Sequence, residues 1–240
     1  PDVRFIRTIL ARDPNVEVRM YVQKQGGTFY QQPPVAAELC KSEALVLVGF
    51  PVNSTPRSIT HQIAQAAING TAILFVASRN TDYGALAPLE SVLPFSVAAN
   101  RPTEFMITPD VKEGANTDPL MKVTGSDADA ELWNTLPPVY RTETFVTPKP
   151  GAKTLATIRV NNVPLAEPLI MKRDNGKTRS MAVMAYGIYR WELLGEGPAD
   201  ARGEDAAEVL STFLGNSVGW LAVREDERRV RIRSDRKFYA

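Results

Sequence analysis

The turn Ser78-Arg79-Asn80-Thr81 closes an apolar run at the kind of place where many α/β hydrolytic enzymes hold a nucleophile. A serine hydroxyl attacks a carbonyl near neutral pH only when a neighbouring base takes its proton. Nothing local supplies one: Arg79 stays protonated and Asp82 is a weak base toward a hydroxyl. Ser78 therefore reads as a turn or capping hydroxyl, with nucleophilic catalysis as the alternative. The single histidine, His61, has no Cys, His or acid four residues on with which to pair around a metal, so it reads as a surface or packed side chain. One cysteine, Cys40, rules out an internal disulfide and, with one histidine, the usual zinc clusters. Asp127, Asp129 and Glu131 offer oxygens to calcium, as do Asp200, Glu204 and Asp205, but neither set has the ordered spacing or the glycine of an EF-hand loop. Gly26-Gly27 lacks the surroundings of a phosphate loop and reads as a flexible turn. In Tyr189-Arg190-Trp191 an aromatic pair flanks an arginine, which suits a sugar or peptide platform but suits core packing better. No metal and no cofactor is expected.

The elements that must position these residues follow from hydrophobic spacing. Two apolar runs, 44–49 and 71–78, flank a helical segment of crossover length and read as a βαβ unit with strands buried on both faces. The crossover helix is expected to start with Thr55 as N-cap and Pro56 at its first position, and to end at Asn69-Gly70. Upstream lie a helix over 2–11, an edge strand over 16–22 and a short helix over 35–41. Downstream come a helical stretch over 83–93 closed by Pro94, a strand over 104–108 and a polar region over 109–129. A short helix over 131–135 and strands over 142–148 and 153–160 follow. A hairpin then joins 169–173 to 178–185 through Asn175-Gly176. A short helix starts at Tyr186, the longest helix spans 204–223, and 229–233 alternates as a strand would. The fold class is α/β: a flavodoxin-like, doubly wound, mostly parallel sheet of 16–22, 44–49, 72–78 and 181–185, with an antiparallel extension drawn from 142–173. One domain over 1–240 is expected, with an excursion at about 109–176.

The 28 Lys and Arg against 27 Asp and Glu leave a net charge of +1, so no global field draws the chain to nucleic acid or an acidic membrane surface. No run approaches the roughly twenty apolar residues of a membrane span. A parallel sheet of this kind normally begins with a strand feeding its first helix, and none precedes residue 2, so the stretch reads as a piece cut at both ends from a longer chain.

Residues 45–49, the helix to Gly70, the run 72–78 and Leu86-Ala87-Pro88-Leu89-Glu90-Ser91-Val92-Leu93-Pro94 form a series. It continues through Asp118-Pro119-Leu120, Trp133-Asn134-Thr135-Leu136-Pro137-Pro138, Pro150-Gly151-Ala152, Tyr189-Arg190-Trp191 and Trp220-Leu221-Ala222. In order and spacing this series resembles the class I glutamine amidotransferase-like domain of bacterial membrane-anchored proteins, often associated with von Willebrand factor type A domains. True amidotransferases of that fold carry a cysteine on a strand-to-helix elbow and a late His-x-Glu pair. This chain departs at all three: it offers Ser78 at the elbow, no histidine around Tyr186-Gly187-Ile188, and Cys40 at the opposite edge of the sheet. The resemblance implies a non-catalytic binding domain of an envelope protein, extracytoplasmic and tethered to a membrane by segments outside this stretch. The alternative is an amide-bond hydrolase or amidotransferase acting through Ser78. The expected ligand site is a cleft at the strand carboxyl ends holding Pro51, Asn53, Ser78, Arg79, Asn80 and Tyr83, suited to a protein, peptide or glycan partner and not to nucleic acid.

Overall fold

The computed structural model describes residues 1–112, 118–126, 128–193 and 209–223. The βαβ unit is present: β1 (Ala44–Val48), α3 (Arg57–Ile68) and β2 (Ala72–Val76), the two strands pairing in parallel. Before it lie α1 (Asp2–Leu10) and α2 (Ala36–Leu39). After it come a 3-10 helix (Gly84–Leu89), β3 (Phe95–Asp110), a 3-10 turn (Pro119–Met121) and α4 (Asp129–Asn134). The described chain is completed by β4 (Val139–Pro148), β5 (Ala152–Val160), β6 (Val163–Asp174), β7 (Arg179–Val183), α5 (Arg190–Leu193) and α6 (Val209–Ala222).

The strands form one open sheet in the order β1-β2-β7-β6-β5-β3-β4. Only β1, β2 and β7 run parallel, and the ladders β7/β6, β6/β5, β5/β3 and β3/β4 are antiparallel. The α/β class stands, but the antiparallel part is larger than expected, and the presumed excursion supplies β4, β5 and β6 of the same sheet. Short connections explain the β5/β6 and β6/β7 pairs, because a parallel return needs a crossover of a dozen or more residues. Asn161 and Asn162, both at positive φ (47° and 65°), turn β5 into β6 as a two-residue hairpin loop requires.

Residues 16–22 do not join the sheet. Val16 and Val18 pack on the core, but Val22 carbonyl accepts from Tyr30 N–H (3.0 Å) and Val22 N–H donates to Gln31 Oε1 (3.3 Å), so the backbone is tied to the next loop and not to β1. The alternating polar side chains are satisfied locally, Arg19 on Glu17 (2.9 Å) and Tyr21 on Glu38 (3.1 Å). The start of α3 also differs. Pro56 is extended (φ −60°, ψ 132°) and stands at the cap, while Thr55 Oγ1 turns away to accept from Val52 N–H (2.9 Å) and donate to Gln23 Oε1 (2.8 Å). Residues 204–208, the strand expected at 229–233, and Asp127, Asp200, Glu204 and Asp205 lie outside the described residues.

Alternation along the buried strands feeds two cores, one on each face. Ile73, Phe75, Ala182 and Met184 face α3 and the 3-10 helix, meeting Ile59, Ile63, Ala67, Leu86 and Leu89. Leu74, Val76, Met181 and Val183 face the other way, with Ile6, Trp133, Trp191 and Phe213. Trp133 is the keystone there, edge-on to Trp191 (5.8 Å) and Phe213 (5.3 Å), its Nε1–H donating to Met121 carbonyl (2.9 Å). Each fully buried large apolar side chain of this kind stabilises the fold by about 1.5–3 kcal/mol. With both faces covered, what remains for function is the rim where β1, β2 and β7 end.

Candidate functional site

At that rim β1 and β2 are drawn together by a glycine. Gly49 has φ +59°, its N–H donates to Val76 carbonyl (2.8 Å), and a Cβ there would lie 2.7 Å from Ser78 Oγ, so only glycine lets the strand ends close. The chain then passes through buried Pro51, whose carbonyl accepts from Asp82 N–H (2.8 Å), and Val52 bridges to Thr81. Ser78 is used inside its own turn. Its N–H donates to Thr81 Oγ1 (2.9 Å), while its Oγ accepts from Asn80 N–H (3.2 Å) and Thr81 Oγ1 (3.4 Å). Asp82 is not directed at it: Oδ1 accepts from Gly84 N–H (3.0 Å) and Ala85 N–H (3.2 Å) and starts the 3-10 helix.

Asn53, Arg79 and Asn80 line an open cleft of about 680 Å³ with Ser54, Thr81 and, from β3, Asn100 and Pro102. Pro51, which is buried, and Ser78, which is half-buried, are not among its lining residues. Tyr83 is half-buried, edge-on to Phe75 (6.3 Å). Burial raises its phenol pKa against the opposing effect of Thr144, Arg141 and Thr142, keeping it protonated. Sequence reasoning missed the supports of the other walls. Gln23 Nε2 donates to Ser54 Oγ (3.4 Å) while its Oε1 holds Thr55, and Gly27 lies so close that a Cβ would sit 2.4 Å from Ser54 carbonyl. On the opposite wall Thr144 Oγ1 donates to Asn100 Oδ1 (2.7 Å) and is itself bonded to Thr142 Oγ1 (2.8 Å), which fixes the Asn100 carboxamide with its NH2 free to donate.

The end of β7 brings Tyr186, unrecognised in the sequence except as a place without histidine. Its N–H and carbonyl bond Tyr140 (2.9 Å each), its ring stacks on Tyr140 (5.9 Å), and its hydroxyl donates to the Glu104 carboxylate. Burial first, then that bond and charge, push the Tyr186 pKa far up, the positive charge of Arg79 opposing. The loop beyond is fixed by Asp2, whose carboxylate accepts from Gly187 N–H (2.7 Å) and Tyr189 N–H (3.0 Å). In Tyr189-Arg190-Trp191 only Trp191 is core, buried with Nε1–H on Pro137 carbonyl (3.2 Å), while half-buried Tyr189 stacks on Phe5 (5.5 Å) and half-buried Arg190 lies over Tyr140 (5.0 Å).

Among the described residues no group of three or more His, Cys, Asp or Glu is arranged to hold a metal. Asp129 accepts from the N–H groups of Val123 (3.1 Å), Thr124 (2.8 Å) and Gly125 (3.1 Å) and from Thr124 Oγ1 (2.6 Å), which occupies its lone pairs. Burial alone would raise its pKa, and these bonds outweigh burial and lower it.

No family model matches the chain, and no curated protein matches it. Among solved structures, the fold is similar to that of STM1381 from Salmonella typhimurium LT2, at 15% identity and TM-score 0.52, covering 88% of this chain and 85% of that one. STM3548 from Salmonella typhimurium aligns at 14% identity and TM-score 0.48, over 80% of this chain and 76% of that one. The exo-β-1,4-mannosidase Op5Man5 from Opitutaceae bacterium strain TAV5 aligns at 14% identity and TM-score 0.37, over 80% of this chain and 27% of that one. The extracytoplasmic location expected from the sequence is corrected by these findings. STM1381 is described as a cytoplasmic protein, and no helix among the described residues is long and apolar enough to cross a membrane.

Proposed function

We propose that the chain is a flavodoxin-like, amidotransferase-like α/β domain that binds a small polar ligand in the cleft between Asn53, Arg79, Asn80 and Asn100 without turning it over. Helices on both faces of the parallel strands support the doubly wound reading, and a cleft outside the carboxyl ends of β1 and β2 is where such a sheet binds ligands. One observation carries the non-catalytic part. Among the described residues the Ser78 hydroxyl donates to no imidazole, lysine or carboxylate that could take its proton, and the two hydrogen bonds it accepts come from its own turn. The two tyrosines Tyr186 and Tyr83 behave alike, since Tyr186 stays protonated on Glu104 and Tyr83 is held protonated by burial.

The test joins a screen with an assay. Saturation-transfer NMR with a set of small carboxylic acids, amides and sugars should give hits that perturb Asn53, Arg79, Asn80 and Asn100, while glutaminase and general amidase assays stay at background for wild type, Ser78→Ala and Cys40→Ala. Hits clustered elsewhere on the surface would remove the cleft from consideration. Wild-type turnover abolished by Ser78→Ala would establish the hydrolase in its place.

A further inference from the structure

The polar lining of the cleft is selective in what it lacks. Its one charged group is Arg79, exposed and in no ion pair among the described residues. No carboxylate lines it. The same lining carries three carboxamides, Asn53, Asn80 and Asn100, and the side chains of Ser54 and Thr81. Asn100 is pre-set as a donor because Thr144 occupies its oxygen. Apolar surface is confined to Val52 and Pro102, and no aromatic face is presented.

We infer that the cleft selects a sugar acid, a small polyhydroxylated ligand carrying one carboxylate; this rests on the cleft being a ligand site. A planar guanidinium pairs two-pronged with a planar carboxylate, and carboxamides, which both donate and accept, match vicinal hydroxyls. A phosphate dianion fits worse, because one cation with no lysine and no second arginine leaves half its charge uncompensated. A peptide fits worse too, since the cleft has no apolar pocket to hold a side-chain anchor. A neutral sugar would cover Arg79 without a counter-charge, which costs desolvation for no return.

Isothermal titration with glucuronate and galacturonate, glucose and galactose, inorganic phosphate, and a blocked dipeptide with a free carboxylate separates these cases. The uronates should bind about tenfold or more tighter than the matching neutral sugars, a difference of about 1.4 kcal/mol. Arg79→Ala and Arg79→Gln should erase that preference at an unchanged melting temperature, and added salt should weaken uronate binding. Equal affinity for uronate and neutral sugar, or a preference that survives Arg79→Ala, overturns the inference. Phosphate or dipeptide binding at Arg79 with no uronate binding also overturns it but leaves the ligand cleft standing, and silence from all four probe classes overturns the inference and counts against the cleft as well.

Discussion

Gly26 and Gly27 offer a comparison in which one variable changes. Both have nearly the same φ, +89° and +90°, so alanine at either is forced to positive φ, at a strain on the order of 1–2 kcal/mol for an L-residue. Both substitutions also stiffen the unfolded chain alike, which cancels in the difference. Their surroundings differ. A Cβ on Gly26 meets nothing within 4 Å, whereas on Gly27 it falls 2.4 Å from Ser54 oxygen, 3.5 Å from Ser54 carbonyl carbon and 3.6 Å from Pro56 Cδ. Contacts below 3.0 Å are essentially never seen, so the loop must back away from Ser54 by at least the difference, 3.0 − 2.4 = 0.6 Å. The obstacle is backbone and cannot rotate aside, which puts the extra penalty in the overpacking range of about 1–3 kcal/mol. Urea unfolding of Gly26→Ala and Gly27→Ala at equal slope should separate the unfolding free energies by that amount. Retreat of the loop should also shift the amide resonances of Ser54 and Thr55, which Gln23 holds, in Gly27→Ala only. Equal destabilisation by the two variants would refute the close approach and with it the claim that the 23–29 loop sets one wall of the cleft.

Three further outcomes are expected. Burial alone would raise the pKa of Asp118, but bonds from Lys172 Nζ (2.8 Å) and Lys153 Nζ (3.0 Å) and from Leu120 N–H outweigh it and lower the value below the ordinary 3.8. The stability it adds is therefore complete above pH 3.8 and lost as pH falls below, so Asp118→Asn should cost about 1–3 kcal/mol at pH 7 and remove part of the acid destabilisation below about pH 4. Since the raised Tyr186 pKa adds stability that is full below the unfolded value near 10 and lost as pH climbs above it, Tyr186→Phe should remove a phenol absorbing as phenolate only in strong alkali, followed at 295 nm, and reduce the alkaline loss of stability. Arg179 donates to Trp220 carbonyl (2.5 Å) and Val223 carbonyl (2.8 Å) at the end of α6 and pairs with Asp174 (2.9 Å). Arg179→Lys loses that fork and should cost about 1–3 kcal/mol, read by amide exchange rising first in the last turn of α6.

Local signals exposed the parallel half of the sheet. The runs at β1 and β2 are too apolar for anything but strands buried on both faces, and Asn175-Gly176 announces the turn between β6 and β7. The antiparallel half was harder to read for a physical reason. In β3 the stretch 97–104 is exposed throughout, so no core pattern marks it, and it is a strand because β4 pairs with it. The opposite happened at 16–22, where alternation suggested a strand but Glu17, Arg19 and Tyr21 found local partners and no ladder formed. Pairing is a property of two segments, and alternation in one reports only that it is half-buried.

The site shows the same division. Topology alone leads to Ser78 and Arg79, since they follow the carboxyl end of β2 in the parallel part of the sheet. It does not lead to Gln23, Asn100 or Tyr186, which come from a loop, an exposed strand and the end of β7, and meet only through the folded sheet. Tyr186 decides most about chemistry. The amidotransferase resemblance puts a histidine at this point, with a neighbouring glutamate to orient it. A tyrosine on a carboxylate inverts that arrangement: the imidazole takes a proton near neutral pH, whereas this phenol keeps its own, and Glu104 is committed to receiving that bond. Restoring the base by Tyr186→His would therefore not restore catalysis, because Ser78 Oγ still faces Asn80 N–H and Thr81 Oγ1. Under the proposed non-catalytic reading, Ser78 and Tyr186 each hold a proton in place, and the cleft orients a ligand without a route for moving its protons.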